Sequence, residues 1–177
     1  MAKVIKINEY KVNSGDRFFF DNNIWMFLFA SIANVSRTKQ QIYSRFFADI
    51  CTAKATIFIS SLILSEYMNS CLRINHKLWE KNENRDGTNY KKDYRITSDF
   101  KTALEAIKAE INIIMSLCRK TPDYFDKIEI IDIYQNADTC DFNDAYYIEL
   151  CKKGNYKLVT DDKDFQSTPD NIEIITI

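Results

Sequence analysis

At 177 residues, with 46% hydrophobic and 14% aromatic residues, the chain can bury a core of its own and reads as a single domain over residues 1–177. A formal net charge of −1 carries no global nucleic-acid signature, so a polyanionic ligand requires a local basic patch, a bound cation or a partner. A lone histidine, His76, leaves no basis for a histidine triad or a His-rich zinc site; five scattered cysteines without a CxxC pair, no secretory leader and no membrane-length apolar run point to a reduced, cytoplasmic protein.

Residues 3–12 alternate enough to form an edge strand. Residues 17–21 (RFFFD) read as a central strand that delivers Asp21 at its carboxyl end. Residues 24–33 are apolar nearly all round, which predicts a helix buried on both sides or covered by a partner chain. A second helix over 39–53 carries Ile42, Phe46, Phe47 and Ile50 on one face. The β-branched run 56–59 predicts a strand, and Ser60-Ser61 cap a long helix in which Ile63, Tyr67, Cys71 and Ile74 recur at helical spacing. Glu66 then sits about one turn into that helix.

Residues 81–97 are polar and read as a solvated loop or frayed helix end, with Lys81, Arg85, Lys91, Lys92 and Arg95 as a modest basic cluster. Ser98 caps a helix over 99–119 whose core stripe is Phe100, Leu104, Ile107, Ile111, Ile114 and Cys118, and Thr121-Pro122 stops it. Residues 128–133 are expected as a third inner strand. Asp141 caps a helix running to about residue 153, with Gly154 closing it. Strands follow at 157–160 and 172–177. Strands alternating with helices predict a three-layer α/β/α sandwich on a mainly parallel sheet.

In a parallel sheet, ligands collect at the carboxyl ends of the strands. The expected strand ends and following helix turns carry Asp21, Glu66, Asp141, Asp144, Asp161, Asp162 and Asp164. Each acid also has an ordinary reading. Asp21 and Asp141 suit N-caps, Asp144 suits the positive end of a helix dipole, Glu66 suits a solvated helix face, and Asp162 and Asp164 suit a polar turn. Their joint placement on one edge is what the ordinary readings leave unexplained. Carboxylates converging there raise one another's pKa unless a cation sits among them. An oxygen-rich, histidine-free set suits Mg2+ or Mn2+, and such ions support in-line displacement at phosphorus.

These blocks resemble the PIN-domain nucleases. FFFDNNIWMFLF is similar to that family's opening strand, a hydrophobic run followed by Asp–x–Asn. ISSLILSEYMN resembles its second acidic motif, and DFNDAYYIELCKKGNYKLVTDDKDF resembles its carboxyl-terminal half. The resemblance implies a five-stranded, mainly parallel sheet in the order 3-2-1-4-5. It implies metal-binding, catalytic carboxylates at Asp21, Glu66, Asp144 and Asp162, with Asp164 within the metal set. Asp141 is implied as an auxiliary acid, Asn23 as a polar support, and Thr160 as a hydroxyl near the metal or its water. Small stand-alone members resemble VapC-type toxins, which implies an Mg2+-dependent endoribonuclease acting on RNA, a homodimer and a cognate antitoxin.

The chain departs from that pattern in its length and in the polar segment 81–97. Two rivals remain. A haloacid-dehalogenase-type phosphatase requires Asp–x–Asp after its first strand, and this chain has Asn23 at the second position. A catalytically inactive RNA-binding or scaffold module would use the same acids only as caps and surface charge.

Overall fold

The computed structural model describes residues 2–136 and 139–177. Its elements are β1 (Lys3–Lys6), β2 (Arg17–Phe20), α1 (Asn22–Phe29), α2 (Arg37–Ala53), β3 (Thr56–Ile59) and α3 (Ser61–Asn82). After these come α4 (Ser98–Leu117), β4 (Arg119–Lys120), α5 (Ile130–Tyr134), α6 (Phe142–Gly154), β5 (Lys157–Val159) and β6 (Glu173–Thr176). Among the described residues no helix is long and apolar enough to cross a membrane.

The sheet has six strands in the order β1-β6-β5-β2-β3-β4, and every pair is parallel. Its inner part, β4-β3-β2-β5-β6, reproduces the expected 3-2-1-4-5 order, and β1 adds an edge strand beside β6. Phe18, Phe19 and Phe20 of β2 are fully or almost fully buried, as a central strand with both faces covered requires. Phe18 meets Phe46 of α2 on one face, while Phe19 meets Tyr147 of α6 on the other.

The expected third strand at 128–133 does not form. Residues 130–134 make the short helix α5, burying Ile133 and leaving Ile130 and Ile131 exposed. A short apolar run fits either state. The place beside β3 is taken by β4, which leaves α4 directly, and Thr121 N extends the pairing by donating to Ile59 O at 3.0 Å.

The helix buried on all sides is α6, in which every residue from Ala145 to Cys151 is buried. By contrast α1 buries Ile24 and Trp25 and leaves Met26–Phe29 half-covered at the core edge, where Phe27 stacks on Tyr43 with centroids 5.6 Å apart.

Residues 81–97 are folded rather than loose. Thr88 N and Oγ1 both donate to Glu80 Oε1 at 2.7 Å, and Asn89 caps a π-helical turn, Tyr90–Tyr94. Tyr94 is buried against His76, Trp79 and Phe100. Arg85 lies over Trp79 and Arg95 over Phe100, so two members of the basic cluster cover aromatic rings.

Candidate active site

Because all strand pairs are parallel, the carboxyl ends of β2, β3 and β5 share one edge. Asp21 follows β2 directly, and its amide continues the ladder by donating to Val159 O at 3.0 Å. Its two oxygens divide the work. Oδ1 accepts from Asn22 N at 2.6 Å and caps α1, while Oδ2 accepts from Asn23 Nδ2 at 2.5 Å and Thr160 Oγ1 at 2.8 Å. Thr160 Oγ1 in turn accepts from Asp162 N at 3.0 Å, and Asn23 Oδ1 accepts from Asp161 N at 3.2 Å. Asn23 and Thr160 thus tie the start of α1 to the turn after β5.

Glu66 lies in the second turn of α3, half-buried, and accepts from Asn143 Nδ2. The buried Tyr147 hydroxyl faces Glu66 without making a hydrogen bond of normal geometry. Asp141 is the N-cap of α6, with Oδ1 accepting from Asn143 N at 2.9 Å and Asp144 N at 3.0 Å. Asp144 is half-buried, and no partner donates to its carboxylate among the described residues.

The acids share one electrostatic field. Burial pushes Asp21 up from 3.8 to about 7 against the hydrogen bonds from Thr160 and Asn22, and the charges of Glu66 and Asp162 add to the rise. Burial raises Asp144 to about 8, reinforced by Asp141, Asp21, Asp162 and Glu66. Glu66 is also raised, first by burial and then by Asp141, with Tyr147 and Asn143 opposing. Asp21, Glu66, Asp141, Asp144 and Asp162 thus lie within reach of one another's charge.

It treats the neighbouring acids differently. Asp161 pairs with Lys39 at 2.5 Å and approaches the Tyr43 hydroxyl at 3.4 Å, so a cation already balances it. Asp164 is exposed at the start of a 3-10 turn, where its amide donates to Asp162 Oδ1 at 3.0 Å. Asn143 and Tyr147 are contributors that the sequence reading passed over. Tyr147 lies three residues beyond Asp144 on α6, so helical spacing alone placed both on one face.

The donor set suits a hard divalent cation: it is all oxygen and drawn from separate elements, and the raised pKa values of Asp21 and Asp144 are what such a cation would relieve. Among the described residues, no three acidic, cysteine or histidine side chains stand close enough to ligate one ion as placed.

The family model of the PIN domain matches residues 18–171, a span that includes all of these acids. The chain belongs to the PIN domain family, whose members are generally nucleases and generally use divalent metal ions. No curated protein matches the chain in sequence. Among solved structures it is similar to the crystal structure of VapBC2 from Rickettsia felis bound to a DNA fragment from their promoter. The TM-score is 0.55 with 15% sequence identity, over 91% of this chain and 98% of that one. At that identity the likeness is one of fold.

Proposed function

We propose that residues 1–177 act as one divalent-metal-dependent endoribonuclease unit, the toxin of a toxin–antitoxin pair. The observation that carries the reading is placement: Asp21 after β2, Glu66 early in the helix after β3, Asp144 in the first turn of α6 and Asp162 after β5, with Asp21 and Asp162 joined through Thr160. Asp21, Glu66, Asp144 and Asp162 would hold Mg2+ or Mn2+, with Asp164 in reach of the same turn. When bound, such an ion polarises a phosphoryl oxygen and lowers the pKa of an attacking water.

The chain's own residues fix the geometry. Asn23 and Thr160 orient Asp21, Asn143 orients Glu66, and Asp141 holds the first turn of α6 so that Asp144 faces the others. RNA as substrate is supported by the resemblance of the acidic blocks to the toxin ribonucleases. A cognate antitoxin is supported by the VapBC2 neighbour, which is itself a two-component assembly. A homodimer is proposed on the resemblance to the toxin ribonucleases alone.

Cleavage of a mixed RNA pool tests this reading, run with Mn2+, with EDTA, and with Asp21→Asn and Asp162→Asn proteins. Metal-dependent cuts that vanish in both variants support it; cuts that survive both variants, or that persist in EDTA, overturn it. A second reading has an observation behind it: the acids as placed do not yet form a coordination sphere. On that reading the chain is a non-catalytic RNA-binding module, and Mn2+ leaves its melting temperature unchanged.

A further inference from the structure

Beside the acids lies an aromatic cleft that the carboxylate chemistry does not use. Phe142, the first residue of α6, stands between Asp141 and Asp144 in the chain and is 50% exposed. Phe125, in the 3-10 turn Phe125–Lys127, is 59% exposed. With Tyr146, Ser60, Ser61 and Asp123 they line a cleft of about 200 Å3.

Its walls are fixed. Ser60 Oγ caps α3 by accepting from Ile63 N at 3.3 Å, and the Tyr146 hydroxyl donates to the Asp123 carbonyl. Asp123 Oδ1 accepts from Phe125 N at 3.2 Å, and the Phe125 and Tyr146 rings lie 6.4 Å apart. The cleft lies at the same end of the sheet as the acids: Ser60 follows β3 as Asp21 follows β2, and Phe142 directly follows Asp141, the N-cap of α6.

The chemistry of the cleft selects its occupant. Its volume falls below the roughly 300 Å3 at which pockets for larger ligands begin, so it holds one small flat group. Exposed ring faces supply stacking surface. The Asp123 carboxylate supplies an acceptor, and the Ser61 hydroxyl, without a partner among the described residues, supplies a donor or acceptor. A flat apolar face with a polar edge is what an unpaired nucleobase presents. Exposed Arg119 and Lys120 lead into the same Thr121–Asp123 stretch and provide cations for a backbone. The basic cluster in 81–97 does not: Lys81 lies about 22 Å along α3 from Glu66 at 1.5 Å per residue.

We propose that the cleft is a base-binding subsite, in which a single strand whose phosphodiester meets the carboxylates splays one base against Phe125 and Phe142. The proposal rests on the nuclease reading above.

The test measures binding of a fluorescein-labelled single-stranded RNA to the wild-type protein in EDTA, and to a Phe125→Ala/Phe142→Ala double variant. An abasic strand of equal length serves as the second probe. The expected result is a Kd raised on the order of tenfold by the double variant for the base-bearing strand, with no change for the abasic one. Because both rings are exposed, the variant keeps its melting temperature, which separates lost stacking from lost folding. Equal binding of base-bearing RNA by both proteins, while wild type still cuts RNA, overturns the subsite and leaves the nuclease reading standing. A wild type that neither cuts nor binds RNA overturns both.

Discussion

Asp161 and Asp162 leave β5 with the same chemistry and enter opposite surroundings. Lys39 and Tyr43 of α2 claim Asp161, while Asp162 adds its charge to Asp21 and Asp144. We therefore expect Asp161→Asn to keep RNA cleavage within a few-fold of wild type and Asp162→Asn to lose it by on the order of a hundredfold or more, measured as kcat/KM on one RNA. The Lys39–Asp161 pair is partly exposed, so its loss costs at most about 1 kcal/mol in stability.

The raised pKa values set a second expectation. Folded Asp21 and Asp144 titrate near 7 and 8, against 3.8 for the free side chain, so the folded state holds protons that the unfolded chain has released from about pH 4 upward. Stability contributed in this way is complete below about pH 4 and is lost as pH rises through 7 to 8. In EDTA the melting temperature should fall by roughly 6–12 °C between pH 5 and pH 8, a loss of about 3 kcal/mol from buried Asp21, the half-exposed Asp144 adding little after screening. Excess Mn2+ should remove most of that fall.

At this scale the acids were legible one by one from their places after strands and at helix starts. Of the adjacent aspartates the resemblance singled out Asp162 over Asp161; the ion pair that occupies Asp161 was not legible, because Lys39 is distant in sequence.

Among the elements, the end of α6 shows how tightly a helix can be stopped. Gly154 is the last helical residue, but the left-handed position that closes the helix belongs to Asn155, at φ 51°. The value of Gly154 is space: a Cβ there would stand 2.0 Å from Cε2 of Tyr156. That ring cannot swing away, because it stacks on Phe58 at 4.6 Å beneath the Arg17 guanidinium. Gly154→Ala should lower stability by about 1–3 kcal/mol in a urea melt. A melt identical to wild type would mean that the stack is mobile.

Elements with long periodic signals, α2, α3 and α4, were readable to within a few residues. The segments 128–133 and 81–97 were not. The first was a short run of isoleucines that suits either period. In the second, the polarity concealed Tyr90 and Tyr94, which dock on His76 and Trp79 of α3 and on Phe100 of α4.

For the whole molecule, the strand order followed from alternation and resemblance together, since periodicity alone does not say which strands are neighbours. What joins the last third of the chain is a buried polar clip that no pattern announces. Asn136 is fully buried; its Oδ1 accepts from Thr168 Oγ1 at 2.7 Å and its Nδ2 donates to Asp170 Oδ2 at 2.8 Å. Lys152 of α6 reaches the same Asp170 at 2.7 Å. The clip holds the lead into α6, which carries Asp141 and Asp144, against the segment between β5 and β6. Asn136→Ala should cost about 1–3 kcal/mol, because Thr168 and Asp170 lose a partner in a buried place. RNA cleavage should fall in parallel, whereas Lys152→Ala, which leaves Asn136 bonded, should affect cleavage less.

The pairing of β1 with β6 carries a consequence for the order in which the molecule assembles. Lys3 and Glu173 stand side by side across 170 positions of chain, and Asp21 meets Thr160 across 139. Contacts of such separation demand that a very large loop be closed before they return any free energy, so they form late and slowly. During synthesis the first strands therefore emerge with no neighbour on that side, and the acids of α6 and of the turn after β5 cannot join Asp21 until the chain has been made through Asp162. The cluster is an attribute of the finished protein, absent from its nascent form.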